Sequence, residues 1–206
     1  MRRLYIVAII MIAHLSCMAQ SKVELPAPVA SGGMGLFEVL QKRASIREYS
    51  DKDISDKTLS QVLWAACGKN RPDGRITAPS AVNAQDVVVY VCKANGAFLY
   101  DAQNDTLVQV SKKDLRKAVA GRQEFAAKAP VSLVLVSNLE KLPRANEMLG
   151  AMDVGYVSEN ICLACTALGL ATVPRATMDI EVLNNELGLG EKQVPMLNNP
   201  VGYPIE

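Results

Sequence analysis

The chain has 206 residues with 22 Lys and Arg against 21 Asp and Glu, so its formal charge is +1, and half of it is hydrophobic. That balance supplies no basic excess to displace counterions from a nucleic acid, and the length suits one domain. The single histidine, His14, stands near the start. The rest of the chain therefore holds neither a Ser-His-Asp or Cys-His nucleophile nor a His-ligated zinc site, so a cofactor is expected to carry any redox step.

Met1-Arg2-Arg3 is basic, residues 4–15 form an apolar run broken by His14, and Cys17 and Ala19 are small. This is the order of a secretory signal, and the run falls short of the ~20 residues of a membrane span. Cleavage after Ala19 is expected, leaving 20 basic and 21 acidic residues in an exported, periplasmic or secreted protein. A lipoprotein signal ending at Cys17 is the weaker reading, because His14 stands where an aliphatic residue is expected. No second apolar run is long enough to span a membrane.

Residues 20–35 are rich in Pro, Gly and Ser and predict a linker ahead of a domain over 36–206. Residues 36–44 predict a helix. Ser55 is placed to cap a second one, with Leu59, Val62, Leu63 and Ala66 on one face and Gly68 at its end. Residues 70–84 predict an irregular polar loop. The β-branched run 87–92 predicts a buried strand, answered by strands over 97–101 and 106–110. A helix over 112–120 and a central strand over 131–136 follow. A long helix is expected from 145 to 168, a short one from the cap Asp179 to Leu187, and a last strand within 194–203. One hairpin and few clear βαβ units predict an α+β layer fold.

Cys162 and Cys165 have the spacing of a redox or metal pair but sit mid-helix in an apolar run, so packing is expected of them. No second pair completes a metal site.

Three stretches carry chemistry. In an extended Arg43-Ala44-Ser45-Ile46-Arg47, alternate residues project to one side, where two guanidinium forks and a hydroxyl suit an anion. The loop from Arg75 to Gln85, with Pro79, Ser80, Ala81 and Asn83, leads into the strand at Val87, and the amides of Asn83 and Gln85 suit the edge of a ring. The helix around Glu159-Asn160 and the Pro174-Arg175-Ala176 that follows form the third stretch.

In this order the stretches resemble the FMN-dependent nitroreductase family. Its Arg-x-Ser-x-Arg/Lys segment corresponds to Arg43, Ser45 and Arg47, and its Pro-Ser-x-x-Asn-x-Gln loop to Pro79, Ser80, Asn83 and Gln85. Its helix motif corresponds to Glu159, Asn160, Leu163, Ala164, Leu168, Gly169 and Leu170, and its Gly-Tyr-Pro to Gly202, Tyr203 and Pro204. Glu159 replaces the usual Gln, and Arg175 stands where many members are apolar. The basic residues that many relatives carry after Gly-Tyr-Pro are not in the sequence.

The resemblance covers residues 36–204. It implies a three-layer fold, a mixed, mostly antiparallel sheet flanked by helices, in an intertwined homodimer with FMN at the interface. It implies that Arg43, Ser45 and Arg47, with Ala44 among them, hold the phosphate and ribityl chain. Pro79, Ser80, Ala81 and Asn83 would pack on the flavin from the other subunit. Pro174, Arg175 and Ala176 would run beside the ring, with the Ala176 N–H directed at N5. Arg75 and Arg175 are candidates for a cation near N1.

The expected activity is electron transfer to or from a small molecule, with NADH or NADPH as a candidate donor. Export weakens that donor, because free nicotinamide cofactors are not expected outside the cytoplasm. The alternatives are a flavin oxidase or dehydrogenase of a small molecule or peptide heterocycle, and a non-catalytic flavin-binding protein. The Arg-x-Thr-x-Pro-Ser form at 75–80 resembles the azoline oxidase branch of the family.

Overall fold

The computed structural model describes residues 21–29 and 31–205. The expected signal sequence and its cleavage site lie outside the described residues. The strands are β1 (Lys22–Glu24), β2 (Val87–Lys93), β3 (Gly96–Asp101), β4 (Thr106–Ser111), β5 (Val131–Asn138), β6 (Ala171–Thr172) and β7 (Gln193–Gly202). The helices are α1 (Leu36–Lys42), α2 (Asp56–Cys67), α3 (Arg116–Ala120), α4 (Glu147–Ala167) and α5 (Ile180–Leu187).

The β-branched runs of β2 and β5 explain the centre of the fold. Such side chains suit a pleated surface packed on both faces. The sheet order is β1-β4-β3-β2-β5-β7-β6, and every paired neighbour is antiparallel. Val89 and Val91 of β2, with Leu133 and Leu135 of β5, face one way and pack with Leu59 and Leu63 of α2 and Val157 and Ile161 of α4. Tyr90 and Cys92, with Val134 and Val136, face the other way and meet Val119 of α3 and Leu183 and Leu187 of α5. The two-residue alternation thus makes three layers, helix on sheet on helix.

Local signals set the helix ends. Ser55 Oγ accepts the Thr58 N–H at 3.2 Å at the start of α2. Asn146 Oδ1 accepts from Met148 and Leu149 at the start of α4. Asp179 Oδ1 accepts from Val182, and Gly188, at φ +65°, ends α5. Both α1 and α3 are shorter than expected, covering Leu36–Lys42 and Arg116–Ala120.

The reading of 20–35 as a linker needs correction over its first part. Lys22, Val23 and Glu24 pair with Val108, Leu107 and Thr106 of β4, and Leu25 is buried in the core. Ser60 Oγ donates to Pro26 O at 2.5 Å, and the Gln61 amide exchanges two hydrogen bonds with the Val29 backbone. The edge of β4 offers unpaired backbone groups that a short extended segment satisfies. That demand is non-local, so composition within the segment does not announce it.

Gly150 lets α4 come close to β5, since a Cβ there would stand 2.5 Å from Ser137 Oγ. The outer face of α4 leaves Met148, Met152 and Tyr156 exposed at four-residue spacing, and α1 exposes Leu36, Phe37 and Leu40. Among the described residues no helix is long and apolar enough to cross a membrane.

Candidate functional site

After α1 closes with the Arg43 N–H on Val39 O, the chain runs without regular structure past β6, where the Ile46 N–H donates to Thr172 O at 3.0 Å. Ile46 turns inward against Tyr49, Phe125, Ala129 and Ala171. Ala44, Ser45 and Arg47 are exposed and Arg43 is half-buried. Among the described residues neither arginine has a carboxylate partner, although Arg47 Nη1 reaches Ser45 O at 3.5 Å. An open cavity of about 850 Å³ beside Arg47 is lined by Tyr49, Ser50, Phe125 and Lys128 among others.

The 174–176 segment continues this edge. The Arg175 backbone exchanges N–H···O bonds of 2.9 and 2.7 Å with Asn198 of β7, leaving Pro174 and Ala176 exposed. Arg175 itself turns inward. It is 6% exposed, and its guanidinium donates to Gln123 Oε1, Val119 O, Asn198 Oδ1, Ala120 O and Thr177 O, at 2.7 to 3.3 Å. Phe125 lies over it at 5.5 Å. A fork so occupied is a structural clasp between α3, β7 and the 175–177 turn, and all five of its N–H donors are used within the fold. Arg75 stays exposed, 3.5 Å from Asp73.

The loop before β2 is held in a conformation that L-residues rarely adopt. Val82, Asn83 and Gln85 have φ of 47°, 56° and 46°, and for β-branched Val82 this is a strained position. Val82 and Asn83 are exposed. Ser80 Oγ accepts the Gln85 N–H at 2.9 Å, and Gln85 Nε2 donates to Gly74 O. The Gln85 amide is thus turned into its own loop rather than toward a ligand ring, as the sequence reading had it. Pro79 is exposed and Ala81 half-buried.

What fixes the loop was not read from the sequence. The Ala81 N–H donates to both oxygens of Asp153 on α4, at 3.1 and 2.8 Å. Asp153 is 2% exposed and Asp86, at the end of the loop, is 0% exposed. Burial pushes the Asp153 carboxyl up to about 6; the Ala81 bond opposes that rise and contact with Asp86 adds to it. The available signal was Asp153 itself, an acid on the inward stripe of α4 beside Gly150, Val154 and Val157.

Cys162 and Cys165 are free and buried. Burial pushes the Cys162 thiol up to about 11, with Glu159 adding to the rise and Arg43 opposing it. Cys165 is raised further by burial. Thiols so held are poor nucleophiles. Among the described residues no group of three or more His, Cys, Asp or Glu is arranged for a metal.

The structure therefore brings Arg43–Arg47 and Pro174–Ala176 onto one edge and sets the 79–83 loop apart. Arg43 lies by Cys162 and the loop is tied to Asp153, nine residues earlier on α4 and so about 14 Å along its axis.

A seven-stranded antiparallel sheet between two helical layers, with an outward cationic segment and a strained loop along one long helix, defines a three-layer α+β protein. Comparison with known proteins is specific: the profile of the Nitroreductase family matches residues 40–203, and the chain belongs to that family. It is 32% identical over 187 residues to a protein of Methanocaldococcus jannaschii that carries the name nitroreductase, covering 83% of this chain and 92% of that one. It is 24% identical over 192 residues to a Bacillus subtilis protein named FMN reductase [NAD(P)H], covering 83% and 66%. The crystal structure of a protein from Ralstonia eutropha, also named as a nitroreductase, matches with a TM-score of 0.83 at 34% identity over 90% of each chain. The chain is an oxidoreductase of this family.

Proposed function

We propose that the protein is an FMN-dependent oxidoreductase that works as a homodimer and transfers electrons to or from a small molecule. The observation that carries this reading is the Arg43, Ser45 and Arg47 segment, two cations and a hydroxyl with no carboxylate partner among the described residues. A phosphate monoester carries about −1.5 to −2 charge at neutral pH, and arginine forks match its oxygens. These residues fit the phosphate end of FMN. When bound, FMN supplies two-electron chemistry at its ring N5.

The chain's own residues bind and orient. Arg43 and Arg47 neutralise the phosphate and Ser45 donates a hydrogen bond to it. Ala176 is exposed and its N–H makes no backbone hydrogen bond among the described residues, so it would be available to the ring. Pro79, Ser80, Ala81 and Asn83 close the ring from the partner subunit. The separation of the loop from Arg43 along α4 supports this crossing over. So do the exposed Met148, Met152 and Tyr156, together with Leu36, Phe37 and Leu40, an apolar surface of the kind that marks an interface.

A reduced nicotinamide is the first donor to test, since the Bacillus subtilis relative is named for one. Residues 1–19 support export, and so place a different donor next in line. The purified protein is expected to be yellow, dimeric in sedimentation and to release FMN. Anaerobic bleaching by NADH or NADPH identifies a reductase. Bleaching by a small molecule or peptide heterocycle without nicotinamide identifies an oxidase or dehydrogenase, and no bleaching by any donor a non-catalytic flavoprotein. A chain that neither carries nor takes up FMN overturns the reading, and a monomer that keeps FMN overturns the shared site.

A further inference from the structure

Two buried carboxyl groups, Asp153 and Asp86, converge where α4 meets the start of β2. Asp153 accepts the Ala81 N–H through both oxygens. Asp86 Oδ2 accepts the Ser137 hydroxyl at 2.5 Å. Asp86 Oδ1 is buried with no hydrogen-bond donor directed at it, and the Asp86 carboxyl is near enough to Asp153 to raise its proton affinity. Gly150, one turn before Asp153, lets α4 approach Ser137, so the helix and the two strands converge on this point.

Two buried carboxylates in contact are tolerable when a proton lies between them and costly when both are ionised without a cation. Among the described residues no cation forms an ion pair with either of them. Asp86 is the charged group that β2 presents here, and β5 and β7 contain no Asp, Glu, Lys or Arg. The 79–85 loop carries no charge either. Lys141 lies on the outer side, its amine donating to Gln85 O at 2.9 Å. On α2, Asp56 and Lys57 are exposed, as are Glu147 and Glu159, six residues to either side of Asp153 on α4.

We propose that protonated Asp153 is a positioning residue: its O–H bridges to Asp86 Oδ1 while its other oxygen accepts the Ala81 N–H. One proton thereby latches the 79–86 loop onto α4, and its loss to solvent releases the loop. The positive φ values of Val82 and Gln85 need such a tie, because nothing in their own chemistry favours them, whereas Asn83 tolerates that region. The consequence for flavin binding rests on the proposed function, in which this loop covers the ring of the partner subunit.

The sign follows from the raised carboxyl. Asp153 ordinarily titrates at 3.8 and is pushed up to about 6 in the fold. The latch is therefore fully effective below about 4 and is lost as pH rises through about 6. Asp153→Asn mimics the protonated acid at every pH, since its amide donates to Asp86 and its carbonyl accepts from Ala81.

The test is the protection factor of the Ala81 amide in hydrogen exchange at pH 4.5 and 7.5, with carbon NMR titration of the Asp153 carboxyl. In the parent, protection is expected to fall at the higher pH by roughly 30-fold, the part of the linkage between 3.8 and about 6 that lies above pH 4.5. In Asp153→Asn it is expected to stay at the low-pH level. Equal protection at both pH values in the parent, the same fall in Asp153→Asn, or a carboxyl titrating below about 4.5 overturns the latch.

FMN affinity is read over the same range as the ratio of parent to variant, which cancels the titration of the phosphate itself. That ratio is expected to fall as pH rises, and a constant ratio overturns the link to the ligand. Failure to bind FMN at any pH removes the proposed function while the amide still decides the latch. Flat exchange with FMN bound removes the latch alone.

Discussion

Replacing Arg43 and Arg47 together by alanine is expected to give a colourless protein that still folds. The chain is nearly neutral overall, so no general field gathers a dianion, and local cations must hold it. Both side chains lie outside the hydrophobic clusters, and neither has a carboxylate partner among the described residues. Their loss therefore breaks no ion pair, and the fold should survive. Hydrogen bonds to charged groups contribute about 1.5 to 3 kcal/mol each. One substitution should then weaken FMN binding roughly 10- to 150-fold, at 1.4 kcal/mol per tenfold. Arg47, the more exposed, should give the smaller effect, because solvent screens it. Riboflavin, which has no phosphate, should bind the parent weakly and be little affected by either change. Titration of the parent, both single variants and the double variant with FMN and riboflavin checks this. Unchanged FMN affinity in the double variant overturns the phosphate assignment.

Arg175→Ala is expected to be the most destabilising single substitution on the ligand-bearing edge, through the fold rather than the ligand. The guanidinium donates to five acceptors on α3, β7 and the neighbouring turn and loop. Its removal leaves buried carbonyls unpartnered beside a cavity, two of the mechanisms behind large losses of stability. A loss of at least about 4 kcal/mol is expected, a drop in Tm of roughly 8–16 °C for a chain of this size. Arg175→Lys should rescue little, since an ammonium cannot reproduce a planar fork with five donors. Thermal melting of the flavin-free protein gives the answer without reference to any ligand. A Tm within 3 °C or so of the parent, roughly 1 kcal/mol, would show that the clasp is dispensable. Retention of the fold with selective loss of FMN would return Arg175 to the binding site.

The candidate site was legible in unequal parts. Arg43, Ser45 and Arg47 are close in sequence, and alternation alone places them on one side of an extended chain. Pro79 to Asn83 was legible as a loop entering a strand, but the left-handed Val82 was not. A β-branched residue has no local preference for that conformation, and a bond from another element holds it there. The burial of Arg175 was not legible, because exposure is the default for arginine. Its burial depends on carbonyls left free at the end of α3 and on Asn198, which the sequence places far away.

The sequence by itself determined the elements and the faces they bury. Caps at Ser55 and Asp179, glycine stops and two-residue alternation act over a few residues, so they can be read in place. Only the tertiary structure decided what depends on elements meeting. Residues 22–24 became a strand because β4 had an open edge. Asp153 became an anchor because Gly150 brings α4 against β5 and the start of β2. The cation beside Phe125 became a clasp because five acceptors converge on it. Hydrogen bonding and burial of polar groups are satisfied across the fold, and the residues that satisfy them lie tens of positions apart.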